Sequence, residues 1–251
     1  MLNRIVHGND SRLPPLLIVH GLFGSARNWG AIARRMAEDR RVVAVDMRNH
    51  GDSFWSPDHS YPALARDLAE VILADRRPMD VLGHSMGGKA AMVLALTRPD
   101  LVNRLVVADI APVAYSHSQA HLARAMRAVD LGGLTSRTEA NRRLDVADEG
   151  TRAFLLQSLD LKSQPPRWRL NLDVLETQMN DITGWPDIAG HYDGPALFLA
   201  GALSDYVKPG DRARIKALFP AALMAKIPGA GHWLHAERPR EFEAALRAFL
   251  R

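Results

Sequence analysis

Residues 80–92 read DVLGHSMGGKAAM, and the residue types in this stretch could serve two unrelated chemistries. Gly83, Ser85 and Gly87 spell G-x-S-x-G, the pattern of a serine presented on a tight turn between a strand and a helix. Gly83, Gly88 and Lys89 spell G-x-x-x-x-G-K, most of a loop that cradles phosphates. Such a loop needs a hydroxyl after its lysine to hold magnesium, and that position is Ala90. An apolar strand ending in Asp109 would give the phosphate reading a metal-binding acid, but it leaves the other signals unexplained. The serine reading uses more of the chain. DVLG supplies the strand, KAAMVLALTRP supplies the helix with Pro99 at its end, and the two glycines leave room for the turn.

A serine hydroxyl is a poor nucleophile until a base takes its proton, so a histidine is expected after the last strand. In AKIPGAGHWLHAERP, His232 follows a turn made flexible by Gly229 and Gly231, with His235 as a structural rival in the same loop. His84, beside the serine, is expected to point away from it and to pack or hydrogen-bond locally. Attack on a carbonyl creates an oxyanion that needs two N–H donors. Met86, directly after the serine, offers one; HGLFGS at 20–25 offers the other through Leu22, with Phe23 and His20 lining the substrate pocket. The acid should lie between Ser85 and His232 at the end of a strand. Asp109 ends RLVVA on the strand after the elbow helix and is preferred. Asp205 is the alternative: it follows ALFLAG but stands one place beyond Ser204, where the usual spacing would put an acid. Ser204 is then expected to support the site near the His232 ring, and Asp46 to anchor the MRNHGDS loop.

These residues need a scaffold that brings distant segments to one edge. Short apolar runs without alternation (LLIV, VVAV, DVLG, RLVVAD, ALFLAG, ALMAKI) suit strands covered on both faces. Between them, Trp29, Ile32, Ala33, Met36 and Ala37, and later Phe242, Ala245, Leu246, Phe249 and Leu250, recur with helical period. The pattern predicts an α/β fold with a mostly parallel sheet flanked by helices. Its core is expected over 1–111 and 195–251. Residues 112–194 show no convincing strand, only helical pieces such as Leu122, Ala125, Met126 and Val129, and Leu172, Leu175, Met179 and Ile182, and are expected to form a helical cap over the strands' C-terminal edge.

Bulk properties narrow the classes. The chain has 251 residues, 47% of them apolar, enough for one sizeable core. It has no cysteine, which removes disulfides, thiolate metal sites and cysteine nucleophiles. The net charge of +4 is scattered and forms no block suited to nucleic acid. With no apolar run near the roughly 18 residues of a membrane span and no signal-like start, a cytoplasmic location is expected. His117 and His121 have a spacing that could share a metal on one helix, but no third ligand accompanies them. No metal or cofactor is expected. Arg124, Arg127, Arg142 and Arg143 could give the cap a basic face for the phosphates of coenzyme A.

In order, HGLFGS, VDMRNHGDS, GHSMGGKAAM, DIAPV and GAGHWLHAERP resemble the α/β-hydrolase fold family, and within it the small esterase and acyl-CoA thioesterase branch that includes the YbfF-type bacterial esterases. The resemblance covers nearly the whole chain and is weakest in the cap. It implies a cap between the sixth and seventh strands of the family's count, the acid at Asp109, and a serine, Ser204, in place of the acid after the next strand. Asp205 beside Ser204 is a departure. The resemblance implies hydrolysis of short- to medium-chain esters and acyl thioesters, so a small-molecule substrate is the expected partner, with no nucleic acid. Two readings share the same residues: a perhydrolase or haloperoxidase-like activity on the same triad, and a non-catalytic ligand-binding protein on the hydrolase fold. Epoxide and halide hydrolases attack with a carboxylate, so Ser85 argues against both. No feature bears on oligomeric state.

Overall fold

The computed structural model describes residues 1–251. Its strands are β1 Arg4–His7, β2 Leu16–Val19, β3 Val42–Val45, β4 Met79–His84, β5 Val102–Ala108, β6 Leu159–Asp160, β7 Arg167–Trp168, β8 Ala196–Gly201 and β9 Ala222–Ile227. Seven of them form one sheet in the order β1-β3-β2-β4-β5-β8-β9, antiparallel only at β1. The apolar runs lack alternation because both faces are covered. Leu17, Val19, Leu105 and Val107 pack under α2 (Tyr61–Asp75) and α3 (Met86–Thr97). Leu16, Ile18, Val106 and Ala108 face the other way, toward Trp29, α1 (Gly30–Met36) and Phe242 and Leu246 of the C-terminal helix.

Residues between β5 and β8 carry α4 (Ala120–Ala128), α5 (Arg137–Arg143), α6 (Glu149–Leu155), α7 (Leu172–Thr177) and α8 (Met179–Thr183). After β8 come α9 (Asp211–Leu218), α10 (Leu234–Glu237) and α11 (Pro239–Phe249). The segment at 112–194 is not wholly helical as expected: β6 and β7 pair as a small antiparallel hairpin, too short to show a period. Its apolar stripe at 172–182 is split at Gln178 into two helices. In chain order the segment lies between β5 and β8, the fifth and sixth strands of this sheet, which the family's count numbers sixth and seventh. β1 went unread because its half-buried residues alternate with exposed ones. β9 lies at the sheet edge and is largely exposed, so its apolar run was not a mark of burial on both faces.

The segment is stitched to the core through the MRNHGDS loop. His50 bridges Leu170, Gly51 N–H donates to Arg169 O (2.8 Å), and Asn171 N–H donates to Asn49 O (3.0 Å). Asp46 anchors this loop as expected, accepting from Asp52 N–H (2.9 Å) and from Ala26 N–H (2.8 Å).

The passage from β4 to α3 sets the position of everything near Ser85. Ser85 sits at φ 52° and ψ −122°, a conformation that L-residues adopt only when their surroundings enforce it. Backbone closes in from both sides: a Cβ on Gly83 would lie 2.3 Å from Gly87 O, and one on Gly87 2.4 Å from His20 O. Gly87→Ala therefore has no flexible side chain to push aside and is expected to cost about 1–3 kcal/mol or more. Urea unfolding should show a lower midpoint with an unchanged slope; an unchanged midpoint would mean that the backbone contact is not tight.

Candidate active site

Ser85 would ordinarily cap α3 with its own hydroxyl, but its turned backbone leaves that hydroxyl free of any cap bond. It donates instead to His232 Nε2, 3.0 Å away. His232 Nδ1 lies 2.7 Å from Asp109 Oδ2. A carboxylate can only accept, so Nδ1 carries the proton and Nε2 is left as the acceptor facing the serine. Asp109, fully buried at φ 52° just past β5, has three donors: His232 Nδ1, Ser204 Oγ, and Gly201 N–H at 2.9 Å. No cation pairs with it apart from the imidazole.

Asp205 is exposed and makes no contact with His232, because Ser204, one residue earlier, is the side chain that turns inward. Ser204 reaches the Asp109 carboxylate rather than the imidazole, so its support is one step further from Ser85 than expected. His235 is stacked on Trp29 at 4.0 Å, remote from the serine hydroxyl in its bonding. His84 packs against Trp29 and His235, while its hydrogen bond is not local: its Nε2–H donates 2.8 Å to the carbonyl of His232, which fixes the backbone that carries the imidazole.

The loop after β2 lies against the serine. Leu22 N–H donates to no protein acceptor, and Met86, as the first residue of α3, has an N–H outside that helix's own ladder. Both amides are thus available to an oxygen beside Ser85. Phe23 is buried at φ 61°, and its N–H donates to His50 Nε2 at 3.2 Å. His20 lines the cleft with its ring only: Nδ1–H donates to Gly21 O (2.8 Å) and Nε2 accepts from Met47 N–H (3.0 Å), so no polar atom remains for a substrate. Neutral histidines therefore hold the loop in place, His20 and His50 as acceptors of backbone N–H groups.

Two cavities meet at Ser85. The wider, about 230 Å³, runs past His232 between Leu122, Phe154, Leu155 and Trp233. The narrower, about 30 Å³, lies over Met86 and Lys89. Sequence reasoning missed Tyr206, which closes the site from the side of residues 112–194. Its ring stacks on His232 with centroids 3.9 Å apart, and its hydroxyl donates to His117 Nε2 (2.9 Å) and accepts from Gln119 Nε2 (3.2 Å). Nothing in its sequence context marked it, since the contact joins residues far apart in the chain.

Lys89 does not face a phosphate loop. Its buried ammonium donates to Thr183 O (2.9 Å) and Gly184 O, and burial pulls its pKa down to about 7. His117 precedes α4, so it shares no helix face with His121 and no metal spacing results. No group of three or more His, Asp or Glu side chains is placed to hold a metal. The expected basic face is largely neutralised: Arg124 and Arg127 pair with Glu176, Arg127 also with Asp173, and Arg143 with Glu139. No helix is long and apolar enough to cross a membrane.

Comparison with known proteins identifies the family. Residues 14–239 match the family described as the alpha/beta hydrolase fold. The chain is 43% identical to the sn-1-specific diacylglycerol lipase ABHD11 of Mus musculus, over 96% of this chain and 82% of that protein. It is 41% identical to esterase YbfF of Escherichia coli strain K12, over 96% and 95%. The solved structure of a marine microorganism esterase superposes with a TM-score of 0.93 at 37% identity, covering 99% of this chain and 98% of that one.

The buried histidines make the site acid-sensitive. Burial lowers the pKa of His20 and lowers that of His50 and His84 strongly, and takes His59 and His235 down to about 3. Each stays neutral in the folded chain at pH values where the unfolded chain binds a proton, so stability falls as pH drops below about 6.5. Each such ring contributes at most about 1.4 kcal/mol per pH unit in that window. Thermal unfolding from pH 7.5 to 5 should show a falling Tm, less steep in His59→Gln; a flat profile would mean that these rings are not buried neutral.

Proposed function

The chain belongs to the α/β-hydrolase fold family, within its small esterase branch, and on that footing we propose that it hydrolyses short- to medium-chain carboxylic esters through an acyl-enzyme on Ser85, with acyl-CoA thioesters open to the same chemistry. The observation that carries this reading is the unbroken hydrogen-bonded chain from Ser85 Oγ through the His232 ring to the Asp109 carboxylate.

In the proposed cycle His232 Nε2 takes the serine proton as Oγ attacks the acyl carbon. Asp109 keeps the imidazole in the required tautomer and stabilises it once it is charged. The oxyanion is received by the N–H groups of Leu22 and Met86. His232 then gives its proton to the leaving oxygen or sulfur, and the same steps run again with water. Residues 112–194 serve as a lid: Leu122, Phe154 and Leu155 supply an apolar wall that excludes bulk water from the wider cavity. The names of the curated relatives, an esterase and a diacylglycerol lipase, both describe cleavage of carboxylic esters and support the reaction class. Coenzyme A gains little support from the lid, where only Arg142 among the four arginines lacks an ion pair or hydrogen bond.

Steady-state hydrolysis of p-nitrophenyl acetate tests the assignment. Ser85→Ala should lower kcat by roughly 10⁶-fold and Asp109→Asn by about 10⁴-fold. Asp205→Asn should match the wild type. An Asp109→Asn enzyme with wild-type turnover beside an inactive Asp205→Asn would transfer the acid's role, and undiminished turnover in Ser85→Ala would end the mechanism.

A further inference from the structure

The two cavities at Ser85 are unequal, and the position of His232 says which half of a substrate enters each. The leaving oxygen or sulfur must receive its proton from His232 Nε2, so the leaving group has to lie on that ring's side of Ser85. His232 borders the wider cavity and does not border the narrower one. Met86, whose N–H is a candidate oxyanion donor, borders the narrower cavity and not the wider one.

We infer that the narrow chamber over Met86 and Lys89 receives the acyl chain, that the wide cleft receives the alcohol or thiol, and that the protein selects short acyl groups over long ones. The inference rests on the serine hydrolase reading above. The chamber, about 30 Å³, is a small fraction of the 230 Å³ cleft beside it, so the acyl side is the side that size restricts.

One wall of the chamber is fixed by hydrogen bonds. Lys89 lies one helical turn past Ser85, and its ammonium donates to the carbonyls of Thr183 and Gly184. Tyr61 OH donates to the carbonyl of Ile182 at 2.5 Å. The Lys89 ammonium sits 4.7 Å from the Tyr115 ring centroid and 5.7 Å from that of Tyr61, and its hydrogen bonds go to carbonyls rather than to a carboxylate. Two core side chains therefore pin three consecutive carbonyls at the end of α8 across the chamber. A longer acyl chain would have to break these bonds and leave a buried ammonium unsatisfied. Lys89, conspicuous in the sequence as half of a phosphate motif, is thus assigned a specificity role: it sets the chamber's floor.

The test is a pair of substrate series. On p-nitrophenyl acetate, propionate, butyrate, hexanoate and octanoate, kcat/KM should fall at least about tenfold between propionate and hexanoate, the lower end of what a methylene is worth in a fitted pocket. Across acetates of methanol, benzyl alcohol and 2-naphthol it should not fall with alcohol size. Lys89→Ala, which removes the floor, should flatten the acyl series. Tyr61→Phe, which loses only the Ile182 tie and keeps the ring, should extend tolerance to butyrate and serves if the lysine variant fails to fold. Wild-type hexanoate turnover equal to acetate, with Ser85→Ala inactive, would overturn the acyl assignment while leaving the hydrolase reading intact. Absence of turnover on every ester would remove the reaction itself, and the assignment with it.

Discussion

A carboxylate with no access to water must be satisfied entirely by the protein, and the Asp109 side chain is in that position at the end of β5. Its three donors come from three separate stretches: the last residue of β8, the loop after β8, and the loop after β9. Satisfying one buried group thus requires two further strands of the parallel sheet to end at the same level. That requirement places His232 within reach of Ser85, which follows β4. The site is in this sense a by-product of pairing a buried charge with donors that only neighbouring strand ends can supply.

The serine side has its own constraint. The elbow holds Ser85 in a strained conformation because Gly83 and Gly87 allow backbone to meet backbone at distances no Cβ would permit. The loop after β2 presses against the same point, and its shape is kept by neutral histidines that accept backbone N–H groups. Histidine can do this only while unprotonated, so the geometry of the candidate oxyanion donors and the acid limit of stability have one cause.

Residues 112–194 are fastened at three places that are far apart in sequence. The MRNHGDS loop pairs with 169–171, Lys89 and Tyr61 hold 182–184, and Tyr206 joins 117–119 to the ring of His232. The last two fastenings border the cavities on either side of Ser85. The shape of the space around the serine is therefore decided by how this segment sits, and not by the sheet alone.

Local sequence determined much of this. The strand, tight turn and helix around Ser85 were legible because glycine spacing and apolar runs act over a few residues, where sterics alone decide. The positions of His232 and Leu22 near Ser85 were legible for the same reason, as residues next to glycine turns at strand ends. The choice between Asp109 and Asp205 was different: it depends on which side chain turns inward, and the structure buries Asp109 with its donors while Ser204 takes the inward position that leaves Asp205 exposed. Tyr206, the β6–β7 hairpin, the pairing of the arginines and the use of Lys89 to hold carbonyls at 183–184 were likewise decided only by tertiary structure. Each is a contact between segments separated by many residues or a strand too short to have a period, and neither leaves a mark on local composition.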